Sequence, residues 1–259
     1  MQDLKVILMQ TSPVWEKPDQ NLILSPDSIK LISEGSLVVF PEMFSTGFSM
    51  NVALAETHPG EACAWLQKMA KNFGAAFAGS VMVQENGKYL NRFYFATPDS
   101  QLIWYDKRHL FSLAGENEKF TAGTRQVLAN WNGWKIALFT CYDLRFPVWC
   151  RRTPHFDYHI AIFVASWPDR RSLAWRTLLK ARAIENQCAV VAVNRCGYDG
   201  QGVLHAGDSV IFDWSGKIIA FCKPYKPQTV SGIIASDELI TFREQLPFQK
   251  DSDDFTLNI

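Results

Sequence analysis

A chain of 259 residues with 47% hydrophobic and 20% charged side chains carries enough apolar surface to bury a large core, which excludes extended disorder. Lys+Arg and Asp+Glu are both 26, so the broad basic footprint that a phosphate backbone requires is missing and no nucleic-acid partner is expected. The pairs Arg151-Arg152 and Arg170-Arg171 read as solvated helix ends or local ion pairs.

The chain opens on LKVILMQ, a buried strand whose apolar run is too short for a signal-peptide core or a membrane span. A cytoplasmic protein with no membrane partner is therefore expected. Residues 18–32 carry a helical pattern interrupted near Pro26, and SLVVF follows as a strand. In PGEACAWLQKMAKNFG, Pro59 sits at a helix start and Gly74 at its end, with Ala62, Trp65, Leu66 and Met69 on one face. AAFAGSVMVQ, YLNRFYFAT and QLIWYDK, separated by ENGK and PDS, read as a three-stranded meander. WKIALFTC is a strand, a short helix is expected to start near Pro147, and YHIAIFVASW is a fully apolar strand. Residues 169–188 place Ala174, Leu178, Ala181, Ile184 and Cys188 at helical steps as the buried face. AVVAVNR, DSVIFDWSGKIIAFC with its turn at Ser215-Gly216, and SGIIASDEL complete the strands, and the tail from about residue 241 has no strong pattern.

No repeat or Ser/Gly linker divides this pattern, so residues 1–259 are expected to form one domain. Helices alternate with strands at both ends and hairpins lie between, a mixture that points to an α+β or α/β fold with helices outside layered sheets. The six cysteines show neither a Cys-x-x-Cys pair nor a zinc-type His spacing, so reduced thiols and no metal site are expected.

Three apolar runs end in chemistry: LVVFPE at Glu42, LIWYDK at Lys107 and KIALFTC at Cys141. If these strands are neighbours and point the same way, their last residues meet at one rim of a sheet. A thiol needs a base or a cation beside it to attack a carbonyl. Glu42 is suited to take the proton and later return it to leaving ammonia, in the desolvated setting that VVFP implies. Lys107 and the backbone N–H after Cys141 are suited to an oxyanion. A helix starting at Phe146 or Pro147 would lean its N–H groups toward the sulfur. A Cys-His pair using His109 or His205 leaves Glu42 and Lys107 without a purpose, and so does a fold used for binding alone.

FPEMF, YDKRHLF and CYDLRFP together resemble the three signature segments of the nitrilase (carbon–nitrogen hydrolase) superfamily. The resemblance continues through VASWPDRRSLAWRTLLKARAIENQCAVVAVNRCG and HAGDSVIFDWSGKII, nearly the whole chain. It implies a four-layer α-β-β-α sandwich, a homodimer joined through helices, and a Glu-Lys-Cys catalytic set with no metal or organic cofactor. Carried over, Glu42 is the general base, Lys107 the oxyanion stabiliser, Cys141 the nucleophile, and Tyr142 lends its backbone N–H. A supporting glutamate is Glu116, with Glu118 near enough to keep the choice open.

The CYDLRFPVW segment is most similar to the omega-amidase branch. That implies release of ammonia, through a thioester acyl-enzyme, from the terminal amide of 2-oxo dicarboxylic monoamides such as 2-oxoglutaramate and 2-oxosuccinamate. The acid end of such a substrate calls for a cation, for which Arg145, Arg170 and Arg195 are candidates. Trp167 and Phe48 are candidate pocket walls.

Overall fold

The computed structural model describes residues 1–253 and 255–257. Its first sheet is built from β1 (Leu4–Gln10), β2 (Leu37–Val39), β3 (Glu56–Thr57), β4 (Ala76–Glu85), β5 (Lys88–Ala96) and β6 (Leu102–Asp106). β1, β2 and β4 run parallel, and β4, β5 and β6 form the expected antiparallel meander. Asn86 and Gly87, both at positive φ (51° and 73°), make the tight turn that pairs Glu85 with Lys88.

Alternation along these strands separates two cores. Leu4, Val6, Leu8, Leu37, Val39, Phe93 and Phe95 face a second sheet. Ile7, Met9, Val38, Phe40, Phe77 and Tyr94 face a helix layer built around Ala62, Cys63, Leu66 and Ala70. The N-terminal helical pattern resolves into α1 (Pro18–Asn21) and α2 (Pro26–Leu31), the latter capped by Ser25, whose hydroxyl accepts the Ser28 N–H at 3.2 Å. α3 (Glu61–Phe73) supplies the outer layer and stops at Gly74, which takes the left-handed conformation at φ 60°. The four-residue α4 (Glu116–Lys119) follows β6.

The second sheet holds β7 (Leu128–Trp131), β8 (Trp134–Thr140), β9 (Ile160–Ala165) and β10 (Ala189–Asn194). Beyond the hairpin of β11 (Cys196–Tyr198) and β12 (Leu204–Ala206), it is completed by β13 (Val210–Phe212) and β14 (Ile218–Phe221). Its order is β14-β13-β10-β9-β8-β7, with β8, β9 and β10 parallel. β15 (Gln228–Ile234) crosses back to pair antiparallel with β1. α5 (Ser172–Asn186) packs outside this sheet on β10 and β13, which completes a four-layer α-β-β-α sandwich. The short strands β3, β7, β11 and β12 carry too few residues to show a period in sequence.

Three expectations need correction. The buried face of α5 is Trp175, Leu179, Arg182, Ala183 and Asn186, whereas Ala174, Leu178 and Ala181 are half-buried and Ile184 is 48% exposed. The helix is rotated by about one residue because two polar side chains face inward. Arg182 donates to the Leu144 carbonyl at 2.7 Å, and Asn186 donates to the Arg182 carbonyl at 3.0 Å. The SDEL segment does not extend a strand. It begins α6 (Ser236–Gln245), whose first N–H donates to Asp3 at 2.9 Å and whose Leu239 enters the inter-sheet core. No helix starts near Pro147: a 3-10 turn over Cys141–Arg145 begins at the thiol itself.

Candidate active site

The strand ends converge, but not on the rim of one sheet. β4 and β5 lie between β2 and β6, and β8 belongs to the second sheet. Glu42 and Lys107 therefore come from one sheet, while Cys141 and Ser166 follow β8 and β9 of the other. Face-to-face packing of the two sheets closes the distance. The chain after β2 stays on β4 through Phe40 N–H to the Ala78 carbonyl (2.7 Å) and Phe44 N–H to the Ser80 carbonyl (3.1 Å). Met43, next to Glu42, and Cys141 both have φ of 45°, a left-handed conformation that costs a non-glycine residue on the order of 1–2 kcal/mol. Both sharp turns aim a functional side chain back into the molecule.

Lys107, Glu42 and Glu116 are fully buried together. The Lys107 ammonium donates to Glu42 Oε1 at 2.8 Å and to both Glu116 oxygens at 3.0 and 2.8 Å. Glu116 also accepts the Phe111 N–H at 2.6 Å, and Glu118, exposed on the far side of α4, takes no part. The Ser166 N–H donates to Glu42 Oε2 at 2.8 Å. Asn91 on β5 joins the two carboxylates, its amide donating to Glu42 at 2.8 Å and to Glu116 at 3.1 Å. Ser80 orients that amide by donating to Asn91 Oδ1 at 2.9 Å. The Glu42 carboxylate is thus desolvated yet ringed by donors, not walled by the apolar side chains that VVFP implied.

Burial, and after it the neighbouring Glu42 carboxylate, push the Cys141 thiol well above the usual range, against the pull of Lys107 and the Ser166 N–H. This direction is opposite to the one expected from a helix N-terminus beside the sulfur. Burial works against the Lys107 ammonium, but Glu116 and Glu42 outweigh it and hold its pKa above that of an ordinary lysine. Burial raises the Glu116 carboxyl, with Lys107 opposing. Glu42, Lys107 and Glu116 thus form one buried cluster of ionisable groups beside the Cys141 sulfur.

Cys141 opens onto a cavity of about 150 Å3 lined by Phe48, Phe111, Leu113, Tyr142, Arg145, Ser166, Trp167, Pro168 and Arg171. Both expected walls, Phe48 and Trp167, are present, as is Tyr142. Of the candidate cations only Arg145 lines the cavity. Arg170 is exposed elsewhere, and Arg195 is fully buried, donating to the Cys196 and Tyr198 carbonyls. Arg171, read from sequence as a solvated neighbour of Arg170, reaches the cavity instead. The His109 ring pairs with Asp143 at 2.8 Å and stacks on Phe146 at 3.8 Å, while His205 binds the Val203 carbonyl at 3.0 Å. Neither histidine lines the cavity. Among the described residues, no group of three or more His, Cys, Asp and Glu is placed to hold a metal ion.

Asn91, Ser166 and Arg171 were missed in sequence. A signal existed for Asn91, the one amide inside the apolar strand YLNRFYFA, and for Ser166, directly after IAIFVA.

A two-sheet sandwich enclosing a Glu-Lys-Glu cluster beside a thiol defines the class of hydrolases that act on carbon–nitrogen bonds. The family model described as carbon-nitrogen hydrolase matches residues 5–244, and the chain belongs to that family. It is 38% identical over 257 residues to the omega-amidase YafV of Escherichia coli (strain K12), covering 99% of this chain and 100% of that protein. It is 36% identical over 211 residues to the 2-oxoglutaramate amidase of Bacillus subtilis (strain 168), covering 80% and 81%. Among solved structures, XC1258 of Xanthomonas campestris, a CN-hydrolase superfamily protein with an arsenic adduct in its active site, superposes with a TM-score of 0.95 at 39% identity over 100% of both chains.

Proposed function

We propose that this protein is an omega-amidase, releasing ammonia from the terminal amide of short 2-oxo dicarboxylic monoamides such as 2-oxoglutaramate and 2-oxosuccinamate. The observation that carries the chemistry is the buried Glu42 carboxylate, tied to Lys107 and to the Ser166 N–H beside the Cys141 thiol. The relatives named omega-amidase and 2-oxoglutaramate amidase support the substrate.

In this reading Glu42 takes the thiol proton as Cys141 Sγ attacks the amide carbon, so that thiolate forms only as it is consumed. Negative charge moves to the carbonyl oxygen, where the Lys107 ammonium and the Tyr142 N–H receive it. The protonated Glu42 then gives its proton to the leaving nitrogen, the C–N bond breaks, and ammonia departs from a thioester. Water replaces it and gives a proton to Glu42, and its oxygen attacks the thioester carbon. The C–S bond then breaks, the acid is released, and the sulfur recovers the proton. Glu116 keeps the ammonium aimed and Asn91 holds both carboxylates apart from solvent. No step requires a cofactor.

The enzyme is further proposed to work in the cytoplasm as a homodimer joined through its outer helices. Exposed Leu173 and Ile184 on α5 and Ile218 and Phe221 on β14 supply apolar surface for a second copy. Sedimentation tests the dimer. An ammonia-release screen over four- and five-carbon monoamides, with and without the 2-oxo group, tests the reaction. Selective release from the oxo compounds is expected, and equal rates on simple aliphatic amides would exclude the branch.

A further inference from the structure

The cavity above Cys141 holds more positive charge than amide hydrolysis uses. Lys107, held by Glu42 and Glu116, and the Tyr142 backbone N–H are assigned to the oxyanion. Two guanidinium groups remain, Arg145 from the turn after β8 and Arg171 from the turn that precedes α5. Each lies on an aromatic wall: Arg145 over Trp167 at 4.9 Å and Arg171 over Phe111 at 4.8 Å. Stacking on a ring face leaves the in-plane N–H edges free for a ligand.

Arg92, Arg152, Arg176, Arg182 and Arg243 each have a carboxylate partner. Among the described residues, Arg145 and Arg171 have none within ion-pair distance. Burial first, and then the positive charges of Arg170 and Arg145, lower the pKa of Arg171, so like charges converge without an internal counter-ion. The remaining lining from Phe48, Leu113 and Pro168 is apolar. A cavity lined by a thiol, by apolar side chains and by two guanidiniums without carboxylate partners matches a short carbon chain with an amide at one end and an anion at the other.

We propose that Arg145 and Arg171 form a two-guanidinium subsite for the carboxylate that the substrate carries opposite its amide. The subsite deepens the amidase reading and rests on it for the placement of the amide at Cys141. A 2-oxo acid end suits it, because two carboxylate oxygens and the adjacent keto oxygen present three acceptors, enough for both guanidinium edges. Arg145 is exposed and Arg171 half-buried, so a neutral amide or nitrile forgoes the charge-assisted bonds that a carboxylate makes with both, and the subsite favours the anion.

The test is binding of 2-oxoglutarate, the diacid product of the proposed reaction, to the Cys141→Ala protein by calorimetry. In that background Arg171→Met and Arg145→Met are each expected to weaken binding roughly 10- to 100-fold, the range for a charge-assisted hydrogen bond. Arg171→Lys should recover part of the loss. In the active enzyme, either Met variant should lower the ratio of kcat/KM for 2-oxoglutaramate over that for a neutral aliphatic amide. Diacid binding that ignores both Met substitutions, or an unchanged ratio, overturns the subsite. If the wild-type enzyme releases no ammonia while diacid binding still depends on both arginines, the subsite stands and the amidase reading fails.

Discussion

Glu42 illustrates how one carboxylate is prepared by its neighbours. Oε1 is held by Lys107 and Asn91 and Oε2 by the Ser166 N–H, so its orientation is settled before substrate arrives. Cys141→Ser is nearly isosteric, and we expect it to fold normally and to lose roughly a thousandfold or more in kcat. Glu42→Gln removes the proton acceptor and keeps the shape, with an expected loss of roughly 100- to 10,000-fold. Steady-state ammonia release checks both, and substantial turnover in either would remove that residue from the mechanism. Asn91→Leu leaves both carboxylates without their shared donor. A fall in kcat of about tenfold or more with little change in KM is expected, because the amide touches the machinery and not the cavity. A change confined to KM would contradict this.

At the scale of elements, the phase of α5 matters because this helix closes one side of the sandwich and follows directly on the turn that carries Arg171. Its inward residues are Trp175, Leu179 and Ala183. Leu179→Ala should cost about 2–5 kcal/mol in urea unfolding, and more than Ile184→Ala, whose loss is confined to the surface offered to a second copy. The opposite ranking would restore the face inferred from apolar spacing alone. That inference failed because Arg182 and Asn186 face inward and bond to backbone carbonyls, which a count of apolar positions treats as solvent-facing. The turn over Cys141–Arg145 failed for a related reason. Asp143 accepts the Thr140 N–H at 2.9 Å and the Tyr105 hydroxyl at 2.7 Å, and those partners lie on two different sheets.

The whole molecule carries six buried free thiols. Burial pushes Cys63 and Cys196 up to about 11 and Cys188 and Cys222 up to about 12, and raises Cys141 and Cys150 well above the usual range. Above pH about 8.5 the unfolded chain releases thiol protons that the folded protein keeps. The folded state then binds more protons than the unfolded one, so stability falls as pH rises from about 8.5 toward the folded values. Each thiol contributes up to about 1.4 kcal/mol per pH unit across that window. Urea midpoints under reducing conditions should therefore decline steadily between pH 8 and pH 10. A flat profile would show that these sulfurs titrate alike in both states.

From the sequence by itself came the meander, the outer helix α3, the apolar strands of both sheets, and the three segments ending at Glu42, Lys107 and Cys141. These are local properties: period, turn residues and motif spacing repeat within a few residues of one another. Tertiary structure alone decided that the three ends meet across two sheets, that Glu116 and not Glu118 reaches the ammonium, and that Asn91 ties both carboxylates together. It also decided that Arg171 turns inward beside Arg145 while Arg195 is buried elsewhere. Each of these depends on which side chains face one another across the sandwich, a distance set by packing between residues far apart in the chain. No local pattern encodes that distance.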